Sequence, residues 1–397
     1  MTKTNQSISE LIDFTGEFFD SLVEFREELH RNPELSWQEF QTTTRIKSFL
    51  SQHGIDQFAS PLETGGIVDF KFKENAPFIL LRADIDALPL QDEKNTPYCS
   101  QNPGVCHACA HDAHTAVMAG VAIALNKVKP PLPCNLRFVF QPAEEPIPSG
   151  APEMIKKGVL NNVRYVLGLH MEPRLPLGTI SLTPGWINMQ SNRLDLTLNG
   201  PGGHSARPHE TADLLWIASR IIQDSYQIVY RELNLLDSAV ILTFTAIEAG
   251  QGYNVIPNQL KLTGTLRLSD EKKKADFLTR FKKLLAHYES ETGCQIQFTI
   301  QHGSPAIYND PELIEKLKSV LQNKFELPFK LVSNFRTPGG DDFSYYCKDI
   351  PGAMVKIGVR TDQMTASLHE GKFDVPPESI KNAVLFFLHQ IVYWDEI

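Results

Sequence analysis

The densest group of reactive side chains in the sequence is the segment CHACAHDAH, residues 106–114. It carries two cysteines, three histidines and an aspartate within nine residues. Thiolate, imidazole and carboxylate groups are the donors that a transition-metal ion requires at about 2.0–2.3 Å. Because alternate residues of an extended loop point the same way, Cys109 and His111 are candidate ligands of one metal site.

Two other interpretations of this segment stay open. Cys106 and Cys109 form a C-x-x-C pair, which is also typical of redox dithiols. A structural zinc knuckle would need a second pair of ligands at short spacing, and the sequence does not supply one. Further motifs decide how much weight the metal interpretation has.

The adjacent glutamates Glu144 and Glu145 follow directly from the alternating segment LRFVFQ, residues 136–141. Sites of open α/β sheets gather at strand ends, and neighbouring side chains of an extended segment diverge. One glutamate can therefore ligate a metal while the other handles a proton, and the residue pattern leaves their order open. Metal-assisted hydrolysis needs such a free carboxylate, because water loses a proton and the leaving group gains one.

Two isolated histidines complete a candidate ligand set. His170 ends the apolar run YVLGLH, and His369 follows the strand-like segment 352–359. Five ligands suffice for two metal ions when one donor bridges. A thiolate with imidazoles argues against magnesium or calcium and favours zinc, manganese, cobalt or nickel. The five candidates are Cys109, His111, one of the two glutamates, His170 and His369.

The segment RADIDALP, residues 82–89, places Asp84 and Asp86 directly after the apolar run FILL. Acids at a strand end often do no more than cap the next turn. Beside a metal, a carboxylate behind a ligating imidazole fixes the tautomer and direction of that ring. We expect this role for Asp86.

The order of elements predicts two domains. Strand-like runs alternate with helical periodicity in the first half of the chain, which is typical of an α/β fold. A later stretch reads strand, helix, two strands, helix, strand, the split βαβ order of a small ferredoxin-like α+β sandwich. We therefore predict an inserted domain at residues 187–301, and a larger domain formed by residues 1–186 and 302–397.

Composition narrows the class of protein. The 397 residues carry 38 basic and 47 acidic side chains, a formal charge of -9, with no basic stretch that could follow a nucleic-acid backbone. No apolar run approaches the ~20 residues of a membrane helix, so neither nucleic acid nor a membrane is an expected partner. Six cysteines without a disulfide pattern, and no visible export signal, predict a cytoplasmic protein.

The ordered motifs resemble those of a known family. The family is that of the aminoacylase and carboxypeptidase-type dinuclear metallohydrolases, in the branch of N-acyl-amino-acid, auxin-conjugate and hippurate-type amidohydrolases. The resemblance covers nearly the whole chain and implies a zinc-peptidase-like catalytic domain with a mixed sheet and an inserted lid that also forms a homodimer. The motifs are LHRNPELSWQE, RADIDALP, HACAHDAH, QPAEEP, GLH, GPGGHSARPH, YNVIPN, GTLR, DDFSYY and the LH at residues 368–369.

The resemblance also implies roles for individual residues. Glu144 would be the general base, His204 would steady an oxyanion, and Asn254 and Arg267 would hold the carboxylate of the substrate. An arginine suits planar, two-point recognition of a carboxylate. The implied ligands of the two metal ions are Cys109, His111, Glu145, His170 and His369.

The expected function is hydrolysis of the amide bond of N-acyl amino acids. A dipeptidase or aminopeptidase is the alternative within enzymes, and a non-catalytic metal-binding scaffold would not need Glu144. The sequence departs from the family pattern at Ala110, where glycine is usual, at Asp341, where glutamate is usual, in PIPSGAPE after the paired glutamates, and in EGK after His369. These departures affect the expected substrate pocket more than the ligand set.

Overall fold

The computed structural model describes residues 3–235, 239–324 and 329–394. Contacts between Cα atoms divide the chain into two compact units. Unit 1 runs to Ile187 and takes in Ile307–Arg336 and the residues from Asp341 onward. Unit 2 consists of Asn188–Ala306 and Thr337–Gly340. The boundaries predicted for an inserted domain, residues 187–301, stay a prediction.

The described residues form eight α-helices, two 3₁₀ helices and one π-helical turn. The 3₁₀ helices are Pro208–Glu210 and Asp342–Lys348, and the π-helical turn is Ile228–Glu232. The α-helices are α1 Lys3–Arg31, α2 Phe40–Gln52, α3 His111–Val128, α4 Gly150–Lys156, α5 Leu214–Gln227, α6 Glu271–Thr292, α7 Pro311–Lys324 and α8 Pro377–Val392.

The same residues form sixteen strands, several of them only two residues long. They are β1 Phe58–Ala59, β2 Gly66–Phe70, β3 Phe78–Asp84, β4 Asn135–Gln141, β5 Val163–Pro176, β6 Thr179–Ser181, β7 Gly185–Trp186, β8 Gln190–Asn199, β9 Gly203–His204, β10 Val240–Ala249, β11 Val255–Ile256, β12 Gln259–Leu268, β13 Gln295–Gln301, β14 Tyr308–Asn309, β15 Lys330–Val332 and β16 Gly352–Arg360.

Unit 1 is built on an eight-stranded mixed sheet in the order β1-β2-β4-β3-β5-β16-β6-β15. Its centre is parallel: β3 pairs with β4 and β5, and β5 pairs with β16. Every residue of β3 and β4 is buried, which explains why their apolar runs are continuous rather than alternating. The predicted α/β class with a mixed sheet is confirmed, and strands far apart in sequence share that sheet.

Helix α3 is the central helix of unit 1. It is buried from His111 to Leu125 and is rich in alanine and other small residues. At Gly120 a β-carbon would lie 2.8 Å from Leu22 in α1 and 3.2 Å from Val384 in α8. The absence of a side chain there allows the three helices to approach closely. Because α3 begins at His111, this packing fixes the position of a candidate ligand.

Unit 2 contains a four-stranded antiparallel sheet in the order β10-β12-β8-β13, together with α5 and α6. Burial alternates along β8 and β12, and the inner side chains pack with Phe277 and Phe281 of α6. The order of elements is the split βαβ order expected from the sequence. The lid and dimerisation roles of this region stay predictions. In the part of the chain that the structure describes, no helix has the length and apolar character needed to cross a membrane.

His389 in α8 provides a test of the packing of unit 1. It is 1% exposed, and burial lowers the pKa of its imidazole from 6.5 to about 4. Between pH 4 and pH 6.5 the unfolded chain therefore binds more protons at His389 than the folded chain does. The contribution of His389 to the free energy of unfolding is fully present above pH 6.5 and is lost as the pH falls towards 4. We expect His389→Gln to remove about 3 kcal/mol of this pH-dependent loss.

The measurement is urea unfolding of both proteins between pH 7.5 and pH 4. His53→Asn, at the C-terminal end of α2 in the same unit, is the control and should keep the wild-type pH dependence. If the free energy of unfolding falls with pH equally steeply in wild type and in His389→Gln, the prediction is wrong.

Candidate active site

The carboxyl ends of β3 and β4 lie side by side at one edge of the parallel part of the sheet. Asp84, the last residue of β3, is paired with Gln141, the last residue of β4. The segment after β3 carries Asp86, and the segment after β4 carries the adjacent Glu144 and Glu145. This is the edge at which open α/β sheets place their sites.

Three of the predicted ligands converge at this edge. A donor atom from each of Cys109, His111 and Glu145 lies within 4.8 Å of the other two. Nδ1 of His111 is 2.9 Å from the carbonyl oxygen of Asp86 and 3.1 Å from its Oδ1, so Nδ1 carries the hydrogen. The Nε2 lone pair of His111 is thereby left directed away from Asp86, which is the arrangement expected for Asp86 behind a ligating imidazole.

The other two predicted ligands join the same group. Nδ1 of His170 donates to the carbonyl oxygen of Met171 at 2.6 Å, and its Nε2 lies 3.6 Å from Sγ of Cys109. Nε2 of His369 lies 3.3 Å from Oε1 of Glu145. All five residues proposed from the sequence are thus brought together within unit 1.

The donor set fits a transition-metal centre. Among the described residues, Nε2 of His111 is buried and lacks a hydrogen bond, while the buried Oε1 of Glu145 has the ion-pair contact with His369. Buried polar atoms are nearly always satisfied, and an ion ligand is one way to satisfy them. A thiolate, imidazoles and a carboxylate together are suited to zinc, manganese, cobalt or nickel rather than to magnesium or calcium.

Glu144 is partly buried beside this group. Its Oε1 accepts a hydrogen bond from the backbone N–H of Asp342 at 3.2 Å. Burial raises the pKa of Glu144 well above its usual range, and the neighbouring carboxylates of Asp341 and Glu145 raise it further. A carboxyl group of raised pKa can take and return a proton near neutral pH.

Arg82 compensates the negative charge next to Glu144. Its side chain is fully buried and contacts Asp84 at 2.5 Å and Asp342 at 2.7 Å. Its Nε donates to Oε1 of Gln141 at 2.9 Å. Arg82 belongs to the motif RADIDALP, but the sequence predicted no role for it. Its partner Asp342 is 260 residues away, so their contact could not be foreseen from local pattern.

The remaining reactive residues of segment 106–114 are used elsewhere. His114 donates from Nδ1 to Asp84 at 2.6 Å and accepts at Nε2 from the backbone of Met171 at 2.9 Å, so both ring nitrogens are occupied. Cys106 lies with His30 and Asp92 in a separate buried cluster. Since Cys109 faces the candidate ligands and Cys106 lies in a different cluster, the geometry favours the metal interpretation over a redox pair.

The remaining predicted site residues lie in unit 2. His204 is exposed in β9, and the adjacent Ser205 donates its backbone N–H to the carbonyl oxygen of Asn254 at 3.0 Å. Asn254 is also exposed. Arg267 is half-buried on β12, and its Nη1 donates to the carbonyl oxygen of Pro338 at 2.8 Å. Their roles in substrate binding stay proposals.

A model of peptidase family M20/M25/M40 matches residues 80–392. The chain belongs to this peptidase family. The resemblance inferred from the motifs is therefore confirmed.

Relatives in the M20 family cover most of the chain. It is 34% identical to N-acetylcysteine deacetylase of Bacillus subtilis, over 93% of this chain and 96% of the relative. It is 33% identical to the IAA-amino acid hydrolase ILR1-like 4 of Arabidopsis thaliana, over 91% and 83% of the two chains. The crystal structure of the Bacillus subtilis YXEP protein, a dinuclear metal-binding peptidase of the M20 family, superposes with a TM-score of 0.83, 31% identity and coverage of 96% and 100%.

Two departures of this M20 chain from the family pattern have a visible structural setting. Ala110, the residue before α3, has a φ of +67°, a left-handed conformation that glycine adopts without steric cost. Asp341 precedes the 3₁₀ helix Asp342–Lys348 and accepts the backbone N–H of Phe343 at 2.9 Å.

Proposed function

We propose that the protein is a metal-dependent amidohydrolase that cleaves N-acyl amino acids into a carboxylic acid and a free amino acid. The observation that carries the proposal is Glu144. It lies beside the five converging donor residues, and a binding site alone would have no use for an additional, partly buried carboxylate with a raised pKa. The names of the relatives, a deacetylase of N-acetylcysteine and a hydrolase of IAA-amino acids, support this substrate class.

We infer two divalent ions per subunit, of zinc, manganese, cobalt or nickel. Such ions supply Lewis acidity towards an amide carbonyl and lower the pKa of a water molecule. Asp86 would hold the ring of His111 in the ligating tautomer through its contacts with Nδ1. The residues that would hold the ions are Cys109, His111, Glu145, His170 and His369.

Glu144 would act as general base and then as general acid. It would take the proton of the attacking water and return it to the departing amine. The hydrogen bond from the backbone of Asp342 to Oε1 orients the carboxyl group for both steps. Burial and the neighbouring carboxylates raise the pKa of Glu144, which makes its carboxylate a stronger base than that of an exposed glutamate.

Residues of unit 2 would complete substrate binding. His204 would donate to the oxyanion, a contact whose loss typically costs ~10² to 10³ in rate. Asn254 and Arg267 would hold the carboxylate of the amino acid. The exposed side chains of His204 and Asn254 and the forked guanidinium of Arg267 are chemically suited to these roles.

A dipeptidase is the second candidate function, and one observation favours testing it. Oδ2 of Asp341 is buried without a hydrogen bond among the described residues, and Asp341 forms a carboxylate cluster with Glu144 and Asp342. A free α-amino group would need such an acid. In the structure, however, Arg82 lies 3.7 Å from Oδ1 of Asp341 and already offsets part of this charge.

We also propose that the protein is a cytoplasmic homodimer that associates through unit 2. Strand β10 is ten residues long and lies at the edge of the four-stranded sheet. Ile241 and Ile247 on this strand are 39% and 50% exposed. A long apolar edge strand tends to pair with another chain, and a second copy would cover it.

The function is tested by amine release from N-acetyl, N-benzoyl and indole-acyl amino acids and from unblocked dipeptides. Metal-stripped protein is assayed after zinc, manganese, cobalt or nickel is restored. We expect metal-dependent release from the blocked substrates, with Glu144→Gln lowering kcat by ~10² to 10⁴ while metal content is unchanged. Glu153→Gln, an exposed change in α4, is the matched control. Release from dipeptides alone would support the second candidate, and wild-type turnover by Glu144→Gln would rule out the mechanism.

Replacement of Arg267 tests the carboxylate site. Arg267→Ala removes a charged hydrogen-bond donor, so we expect KM to rise about 10- to 100-fold with little change in kcat. Arg193→Ala, an exposed arginine on the neighbouring strand β8, is the control and should leave KM unchanged. Steady-state kinetics with one blocked substrate gives KM and kcat for both variants. An unchanged KM in Arg267→Ala would show that this residue does not bind the substrate carboxylate.

Replacement of Ile247 tests the dimer. Ile247→Lys places a charge on the exposed edge strand, and we expect the mass in solution to fall from dimer to monomer because charged edges resist pairing. Gln297→Lys introduces the same charge on β13, the opposite edge of the sheet, and should leave the dimer intact. Size-exclusion chromatography with light scattering reports the mass. Dimers of both variants would place the interface elsewhere.

A further inference from the structure

His369 is a candidate ligand that lies outside any helix or strand. It lies in the irregular segment between the end of β16 at Arg360 and the start of α8 at Pro377. Its side chain is 53% exposed, and its φ is +64°, which is unfavourable for a residue with a β-carbon. Contacts from the surrounding protein must therefore hold this segment, which we call the His369 loop, residues 361–376.

Backbone contacts fix the middle of the His369 loop. The N–H of His369 donates to the carbonyl oxygen of Ala108 at 2.9 Å, and the N–H of Glu93 donates to that of Gly371 at 2.9 Å. A β-carbon at Gly371 would lie 2.3 Å from the backbone oxygen of Gln91, so only glycine permits this approach. These contacts do not reach the end of the loop that leads into α8.

The end of the loop is held by an arginine of α1. Arg26 is buried, and its Nη2 contacts Oδ1 of Asp374 at 2.7 Å. Its Nε contacts Oδ2 of Asp112 at 2.7 Å. Asp112 directly follows His111 in α3, and Asp374 is five residues after His369. One guanidinium thus connects the segments that carry two of the candidate ligands.

Both carboxylates contact this buried cation, and Asp112 has a second cationic partner in His30. Oδ2 of Asp112 also lies 2.6 Å from Nδ1 of His30, and the hydroxyl of Tyr98 donates to Oδ2 of Asp374 at 2.7 Å. Loss of Arg26 would therefore leave the carboxylate of Asp374, rather than that of Asp112, without this cationic partner. The planar fork of arginine can contact two carboxylates at once, whereas a lysine ammonium is a single point charge.

We propose that Arg26 is a positioning residue that fixes the His369 loop against the start of α3 and thereby sets the affinity for one of the two metal ions. The inference rests on the metal centre of the proposed function. Residues that orient metal ligands from behind typically change metal affinity 10- to 100-fold when they are replaced. Arg26 acts through Asp374 and Asp112 and needs no contact with substrate.

The test is titration of the metal-free full chain with Co²⁺, followed by calorimetry and visible absorption. Wild type should bind two equivalents. In Arg26→Met, one equivalent should bind about 10- to 100-fold more weakly while the other is retained. Arg26→Lys keeps the positive charge but not the forked guanidinium. The affinity of this variant for the same Co²⁺ equivalent should therefore also be lower than in wild type.

The matched control is Arg137→Met. Arg137 is also a buried arginine of unit 1, and it contacts both carboxylate oxygens of Asp69, at 2.8 and 2.7 Å, and the carbonyl oxygen of Val159 at 2.8 Å. Its replacement should lower the free energy of unfolding but leave both Co²⁺ affinities at the wild-type value. If Arg26→Met does not fold, Asp374→Asn breaks the same bridge at the loop side and should weaken the same equivalent.

The outcomes separate the two proposals. Failure of wild type to bind two equivalents would contradict the metal centre itself. Two equivalents bound by Arg26→Met or Asp374→Asn with wild-type affinity would overturn the positioning role, even if both variants unfold more easily. Full recovery in Arg26→Lys would show that charge alone is sufficient and would overturn the bridging geometry.

Discussion

Compensation of buried negative charge is the constraint on which the rest of the site depends. The carboxylates of Asp84 and Asp342 are fully buried, and each is in contact with the guanidinium of Arg82. Buried carboxylates without a partner would cost several kcal/mol or take up protons. Against the effect of burial, His111 and Arg82 hold the pKa of Asp84 well below its usual range, whereas burial and Asp341 still raise the pKa of Asp342 to about 7. The shared guanidinium of Arg82 thus allows acids to crowd the carboxyl ends of β3 and β4.

Asp84 and Asp86 in turn fix the direction of two imidazole rings. Asp84 holds His114, and Asp86 holds Nδ1 of His111. Nδ1 of His170 is held by a backbone carbonyl instead. In His111 and His170 the hydrogen is thereby placed on Nδ1, and the lone pair of Nε2 remains available for a metal ion. The orientation of the candidate ligands is therefore set by the protein before an ion binds.

The sequence predicted the parts of this arrangement that depend on local order. His170 was found because it ends an apolar run, and the pair Glu144 and Glu145 because it follows a strand, so each could be placed at a sheet edge without knowledge of the fold. The family resemblance then assigned Glu145 as the ligand. The ion pairs were not predictable, since Arg82 and Asp342 are 260 residues apart and Arg26 and Asp374 are 348 residues apart. Nothing in their local sequence distinguishes these acids from solvent-exposed ones. Sequence patterns and the family resemblance therefore identified the candidate ligands but not the residues that hold these ligands in place.

The backbone around the site shows what this support makes possible. Among the described non-glycine residues with positive φ are Ala110 and Ala143, which directly precede α3 and Glu144, and the candidate ligand His369. A left-handed conformation costs a residue with a β-carbon about 1–2 kcal/mol. Such strain persists only where the surroundings determine the structure more strongly, and here tight packing of α3 and paired buried charges do so. The ion pairs thus keep the backbone in conformations that bring ligands from separate segments to one point.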